Sequence, residues 1–155
     1  MKERIFDVYW EGPYKLGEYQ KRPESSHVLY ALFGTHPAYG RDVLLYIGKT
    51  ERNVGVRLSE HAYWIEDECD QINIRVASLG EIESWEGWED EERYKRASDS
   101  DVEAVEALLI YAHQPAYNTK NKEGLKGSRG IRVFNTGKFG SLLPEASHRY
   151  YSDDW

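Results

Sequence analysis

The sequence has a single cysteine, Cys69, and no apolar stretch long enough to cross a membrane. One cysteine cannot close an intramolecular disulfide or build a zinc site of the cysteine type. A membrane-spanning helix needs roughly 18 or more consecutive apolar residues. The first ten residues, four of which are charged, do not have the apolar segment of a secretory signal. We therefore expect a cytoplasmic protein that does not contact membranes.

The length of the chain, 155 residues, suits one domain with a hydrophobic core and is short for two. Hydrophobic residues make up 40% of it and charged residues 30%, proportions typical of a globular protein. We expect the core of the domain at 27–118, with an acidic insertion at 81–100. Residues 1–26 are interpreted as an irregular or weakly stranded N-terminal extension, and 119–155 as a basic C-terminal extension of the same domain.

The net charge of −7 is concentrated in one segment of the chain. Residues 81–103 contain ten acidic and three basic residues, which accounts for all of it. Residues 119–138 contain six basic residues and one acidic residue, and phosphate binding requires a basic surface. This segment is either a DNA-contacting surface or a loop with scattered charge. The candidate DNA contacts are Lys120, Lys122, Lys126, Arg129 and Arg132.

Two β-rich runs predict an antiparallel hairpin. They span 27–34 and 42–49 and flank a turn that contains Pro37 and Gly40. A connection this short leaves little other than antiparallel pairing. The alternating residues 72–79 predict a third strand beside the hairpin.

Apolar residues at three- and four-residue spacing predict two helices. The first is capped by Asn53 and runs to about Asp67, and the second begins at Asp101 and stops before Pro115. A short strand is predicted over 131–135. The element order β-β-α-β-α indicates an α+β domain in which a central three-stranded antiparallel sheet is flanked by helices.

Charged residues on these apolar helix faces are the first candidates for chemistry. On the first predicted helix, Arg57 and His61 lie one turn apart among apolar residues. On the second predicted helix, Glu106 also lies among apolar residues. Unpaired burial of charge is costly, so such side chains should be partnered or functional. One interpretation is a buried ion pair between Arg57 and Glu106 beside a hydrogen-bonded His61. The other is a polar site between the two helices.

The hairpin adds two tyrosines to these candidates. Tyr30 and Tyr46 lie in its two strands, and Gly48 and Lys49 follow the second of them. Antiparallel pairing would set the two phenols side by side, near the helix residues. In isolation, strand tyrosines of this kind are more often packing residues than catalytic groups.

With these residues in place, the hairpin resembles the signature segments of the GIY-YIG nuclease family. Val28-Leu29-Tyr30 is similar to the first segment, and Tyr46-Ile47-Gly48 is an intact copy of the second. The sequence departs from the family at Val28, where the first motif usually has glycine.

The two helices continue the resemblance in the same order. Arg57 followed four residues later by His61 resembles the helix motif of the family's restriction-enzyme branch. Glu106 resembles the residue of its metal-binding helix, and Pro115-Ala116-Tyr117-Asn118 resembles its closing Pro-x-Tyr-Asn motif. The resemblance covers residues 27–118.

The resemblance implies a metal-dependent endonuclease that hydrolyses DNA phosphodiester bonds with water. It implies one Mg²⁺ or Mn²⁺ ion held by Glu106, an ion that keeps much of its water shell and prefers oxygen ligands. Arg57 would stabilise the negative charge that develops on the phosphate. Tyr30, assisted by His61 or Tyr46, would accept the proton of the attacking water, and whether Tyr30 or His61 accepts it first is left open.

The supporting residues implied by the resemblance lie beside these groups. Tyr46 would also hold the scissile phosphate, next to Gly48 and Lys49. Asn118 would fix the end of the second helix near the site, although an ordinary helix-end cap is an equal interpretation. A homodimer, which would let a protein of this size cut both strands, is left open.

Two other functions are compatible with the same residues. The chain could be an inactive nucleic-acid-binding module that kept the fold and lost catalysis. It could instead be a protein-interaction module, because Trp85, Trp88 and Tyr94 lie within the acidic-aromatic segment 81–103, and aromatics among acids can dock a basic partner. That segment could also be a mobile flap or DNA mimic that rests on the protein's own basic segment.

Overall fold

The computed structural model describes residues 2–19, 27–49, 72–87, 89–95, 97–125 and 130–152. They form a six-stranded sheet with the strand order β3-β2-β4-β1-β5-β6. The strands are β1 Arg4–Lys15, β2 Leu29–His36, β3 Gly40–Lys49, β4 Asn73–Ile82, β5 Ile131–Gly137 and β6 Glu145–Ser147. The helices are α1 Leu16–Tyr19 and α2 Asp99–His113, with 3-10 turns at Trp85–Gly87, Glu91–Lys95 and His148–Tyr150.

The predicted hairpin is confirmed. Strands β2 and β3 pair antiparallel, with Tyr30 opposite Gly48 and Leu32 opposite Tyr46. The predicted third strand is confirmed as β4, which pairs antiparallel with the other edge of β2. Because side chains alternate between the two faces of a strand, Tyr30 and Tyr46 share one face of the sheet.

The predicted architecture, a central three-stranded sheet flanked by helices, is wrong. The sheet has six strands and is mixed, since β1 lies between β4 and β5 and pairs antiparallel with the first and parallel with the second. Strand β1 comes from the segment interpreted as an irregular or weakly stranded extension. There Phe6, Val8 and Trp10 alternate and are fully buried, but Gly12-Pro13 and Gly17 later in the segment favoured a largely irregular interpretation.

The predicted second helix is confirmed as α2, with a different start. Its N-cap is Ser98, whose side chain and that of Asp101 form a capping box. The helix ends at His113, and Gln114 adopts a left-handed conformation directly before Pro115. The first predicted helix, 53–67, lies outside the described residues. Within the described parts of the chain, no helix is both long enough and apolar enough to cross a membrane.

The sheet is covered by apolar side chains on both faces. On one face Phe6, Val8 and Trp10 of β1 pack with Val105 and Leu108 of α2. On the other face a second cluster is formed by residues of β2, β3 and β4, together with α1. Tyr30 belongs to this second cluster. Helix α2 and the pair Tyr30 and Tyr46 therefore lie on opposite faces of the sheet. They approach each other at the outer edge of β3.

The acidic insertion is fixed to the sheet by a buried ion pair. Asp7 is 1% exposed, and its Oδ2 accepts hydrogen bonds from Nη2 of Arg93 at 3.0 Å and from the hydroxyl of Tyr94 at 2.6 Å. The hydroxyl of Thr136 donates to Oδ1 at 2.6 Å. The chain can approach because β4 has Gly80 here, where a Cβ atom would lie 2.6 Å from Cγ of Arg93. The described part of the insertion is thus packed against the sheet.

Replacing Arg93 by alanine should destabilise the fold, because it leaves the buried Asp7 carboxylate without its positive partner. We expect the free energy of unfolding to fall by about 3 kcal/mol, measured by urea denaturation. The control is Arg4→Ala, which removes a half-exposed arginine that pairs with Glu81 and Asp101 and should cost about 1 kcal/mol or less. Equal losses in the two variants would contradict this role of Arg93.

His113 links the end of α2 to the segment before β6. Its Nε2 accepts a hydrogen bond from the backbone N–H of Leu143 at 2.9 Å, so its Nδ1 carries the proton and donates to the carbonyl of Leu109 at 2.7 Å. Burial lowers the pKa of His113 below its ordinary value. A proton on Nε2 would remove the acceptor for Leu143.

This arrangement predicts a loss of stability in mild acid. The unfolded chain takes up a proton at His113 near pH 6.5, whereas the folded chain takes it up only at lower pH. The stabilisation is therefore complete above about pH 6.5 and is lost as the pH falls below it. Urea denaturation of the wild type and His113→Gln between pH 8 and about pH 5 checks this. The wild type should lose more stability than the variant over that range, and identical pH profiles would contradict the assignment.

Candidate active site

A cleft of about 480 Å³ lies where the edge strand β3 meets α2 and the loop that follows α2. We call it the β3–α2 cleft. Five of the residues singled out from the sequence line it, namely Tyr46, Lys49, Glu106, Asn118 and Lys120. They come from three separate parts of the chain, and the fold brings them to one place.

Asn118 joins the loop after α2 to strand β3. Its amide oxygen accepts a hydrogen bond from the backbone N–H of Ile47, and its amide nitrogen donates to the carbonyl of Ile47, both at 2.9 Å. Tyr117 extends this contact, because its backbone N–H donates to the carbonyl of Leu45 at 2.8 Å. The end of the Pro-x-Tyr-Asn segment therefore runs along the edge of β3. Asn118 binds this strand directly, between Tyr46 and Gly48.

The two tyrosines stack on each other. Their ring centroids are 5.9 Å apart with an interplanar angle of 27°. Tyr30 is fully buried, whereas Tyr46 is half-buried and lines the cleft. Tyr46 thus connects the buried phenol of Tyr30 with the cleft.

Gly48 provides the space that Tyr30 occupies. A Cβ atom at position 48 would lie 2.5 Å from both Cζ and the hydroxyl oxygen of Tyr30. The tyrosine ring therefore lies directly over the backbone of the neighbouring strand, which only glycine permits. In the Tyr-Ile-Gly segment, the glycine has a packing role that depends on Tyr30.

Positive charge in the cleft comes from Lys49 and Lys120. The ammonium nitrogen of Lys49 is 3.9 Å from Oε2 of Glu103, whose side chain is 71% exposed. An ion pair this long and this exposed contributes little, so exchanging Glu103 for a phosphate would cost little. Lys120 is exposed at the same cleft.

Lys122 and Arg132, the other basic candidates that the structure describes, do not line the cleft. The ammonium group of Lys122 donates to the carbonyl of Pro115 at 2.6 Å. Arg132 pairs with Glu3 and Glu145, and these partners, Glu3 foremost, raise its pKa. Its charge is thereby balanced within the protein. Lys126 and Arg129 lie outside the described residues.

The oxygen atoms of the cleft fit a hard divalent cation. Besides Glu106, the lining residues Glu103, Thr119 and Asn121 have side-chain oxygen atoms. Mg²⁺ binds such oxygen ligands and completes its shell with water. The described ranges contain no group of three or more His, Cys, Asp or Glu side chains placed to hold a metal. The donors here suit an ion held through one or two carboxylates.

Sequence reasoning missed Glu103, Thr119 and Asn121. Glu103 precedes Glu106 by three residues, a spacing that places two side chains on the same side of a helix. That signal was hidden because Glu103 belongs to the acidic segment. Arg57 and His61, the two remaining residues of the predicted site, lie outside the described residues.

The chain matches no known protein family, no curated protein and no solved structure.

Gly48→Ala should disturb the tyrosine pair. The new methyl group would overlap Tyr30, which is fully buried and packed, so we expect a loss of about 1–3 kcal/mol in the free energy of unfolding and a changed near-UV circular dichroism spectrum. Gly124→Ala is the matched control, because a Cβ atom there has no described atom within 4 Å apart from those of the adjacent residues. If both variants were as stable as the wild type, Tyr30 would not be held against Gly48 as described.

Proposed function

We propose that the chain is a metal-dependent endonuclease of the GIY-YIG type, which hydrolyses a DNA phosphodiester bond with water at the β3–α2 cleft. One observation carries the proposal. Tyr46, Glu106 and Asn118, which the family resemblance selects from distant parts of the sequence, line a single cleft together with Lys49, and Tyr46 stacks on Tyr30. The proposed likeness concerns this group of residues and does not extend to the six-stranded sheet.

The carboxylate of Glu106 is proposed to hold the cation, with Glu103 as a second oxygen ligand on the same helix. A bound Mg²⁺ or Mn²⁺ would offset the charge that develops on the phosphate. Lys49 and Lys120 would bind the non-bridging phosphate oxygens from the protein side. Asn118 acts as a positioning residue, because its two bonds to Ile47 hold the backbone between Tyr46 and Gly48.

The tyrosine pair is proposed to have divided roles. Tyr46 lines the cleft, so its hydroxyl can donate to the phosphate or contact the attacking water. Tyr30 is fully buried, which favours a positioning role through its stacking on Tyr46. We propose that the proton of the water goes to Tyr46 or to His61, and that Arg57 stabilises the phosphate charge as the resemblance implies.

The charge distribution along the sheet supports an approach of DNA to this cleft. Arg93 fixes the acidic insertion to Asp7 of β1, and two strands separate β1 from β3. Three strand spacings amount to about 14 Å, and charges further apart than the Debye length of about 8 Å are largely screened at physiological salt. The acids anchored at β1 therefore repel DNA only weakly at the cleft.

Glu106→Gln tests the proposal. We expect the wild type to nick supercoiled plasmid with Mg²⁺ and to be inactive with a chelator. The variant should lose turnover by about 100-fold or more, because an amide replaces the charged ligand. Glu123→Gln, the same change at an exposed position, should cleave like the wild type. A panel of linear, nicked, flap and four-way DNA substrates then identifies the preferred structure.

A folded Glu106→Gln protein that cleaves at the wild-type rate would contradict the proposal, as would a wild type that cleaves no DNA in the panel. If Glu106→Gln failed to fold, the test would move to Tyr46→Phe, which keeps the stacked ring and removes only the hydroxyl group. That variant should fold and lose most of its turnover.

A further inference from the structure

A second cavity, of about 660 Å³, lies at the β5 end of the sheet. Its walls include Trp85, Phe134, Phe139 and Pro144, and the carboxylates of Glu86 and Glu89 line it as well. We call it the aromatic groove. None of the residues proposed for phosphodiester hydrolysis belongs to it.

Trp85 is the most unusual side chain of the groove. It is 65% exposed, although burying an indole ring is strongly favourable. Its ring nevertheless has a defined position, edge-on against Phe134 with the ring centroids 6.0 Å apart and an interplanar angle of 68°. An aromatic surface that is held in place and left open to solvent is typical of a binding site.

The charge around the groove favours a positively charged partner. Glu86 and Glu89 are exposed and lie on the segment that carries the net negative charge of the chain. The guanidinium of Arg93 is already bound to Asp7, and of the described residues that line the groove none is basic. A phosphate backbone would be repelled by the carboxylates, whereas a cation would be attracted.

We propose that the aromatic groove binds a basic segment of another protein and that an arginine side chain enters the groove. A guanidinium is planar, so it can stack on the face of Trp85. Its N–H groups can at the same time donate to carboxylates such as Glu86 and Glu89. A cavity of this volume falls in the range of about 300–1,000 Å³ that is typical of small-ligand pockets, and it can hold one or two side chains.

The position of the groove leaves the β3–α2 cleft free while the partner is bound. Strands β3 and β5 are four strand spacings apart in the sheet, about 19 Å. Binding of the partner would therefore recruit the protein to a complex and leave the β3–α2 cleft uncovered. This inference does not depend on the proposed nuclease activity.

The test is a binding titration of the full chain with three fluorescently labelled peptides. They are a short arginine–glycine peptide, the same peptide with lysine in place of arginine, and one with leucine in place of arginine. We expect the arginine peptide to bind most tightly at low salt, and Trp85→Ala to weaken its binding about tenfold, the typical effect of losing one cation–π contact in a partly desolvated site. The double variant Glu86→Gln with Glu89→Gln should weaken it further.

Tyr39→Ala is the matched control for the tryptophan. Tyr39 is 70% exposed and stacks on His36, so removing it takes away an exposed aromatic ring from a different part of the sheet. This variant should bind the arginine peptide like the wild type. Because Trp85 is itself largely exposed, Trp85→Ala should remain folded, as circular dichroism will check.

Three results would overturn the inference. The first is that no peptide binds to the wild type. The second is that Trp85→Ala binds the arginine peptide as tightly as the wild type, whereas the double glutamine variant does not bind it. That result would indicate that the peptide is attracted by the surface charge and does not enter the groove. The third is that the leucine peptide binds as tightly as the arginine peptide, which indicates an apolar occupant.

Discussion

The pairing of Asn118 with Ile47 is the contact on which the proposed site depends. A strand at the edge of a sheet has backbone groups without a neighbouring strand, and here a side-chain amide bonds both backbone groups of Ile47 at 2.9 Å. This fixes the loop that leaves α2 against β3. As a result Glu106 on the helix and Tyr46 on the strand line the same cleft, although they begin from different faces of the sheet. The buried Tyr30 then supports Tyr46 from the far side, over a backbone that must be glycine at position 48.

Local patterns were enough to predict the elements around the cleft. Alternating apolar residues, turn residues and helical spacing predicted the hairpin, the third strand beside it and helix α2. These elements are amphipathic or are bounded by glycine and proline residues. The extent of the sheet could not be predicted in the same way. Strand β1 contains the buried Asp7, and its charge is acceptable because Arg93, Tyr94 and Thr136, all distant in the sequence, bond to the carboxylate. A single sequence does not show such a long-range partner, and the missing strand changed the predicted architecture.

Much the same reason explains which site residues were found. Those that belong to a recognisable motif, such as Tyr46 and Glu106, were identified from the sequence and line one cleft. Glu103 was overlooked because one acid among ten in the same segment carries no signal until the helix shows which way it points. Arg132 was included for its charge alone, yet Glu3 and Glu145 neutralise it. The net charge of a segment thus predicts the sign of the electrostatic potential around it. Only the tertiary contacts show which charged side chains are able to bind a ligand.

The proposed site requires that one divalent cation binds at the β3–α2 cleft and not among the more numerous acids of the insertion. Nuclear magnetic resonance with substoichiometric Mn²⁺ tests it directly, since a paramagnetic ion broadens the signals of nearby amides. We predict selective broadening at Ala107, Asn118 and Thr119, which disappears in Glu106→Gln. Broadening centred on residues 89–92, with the cleft signals unchanged, would contradict the account.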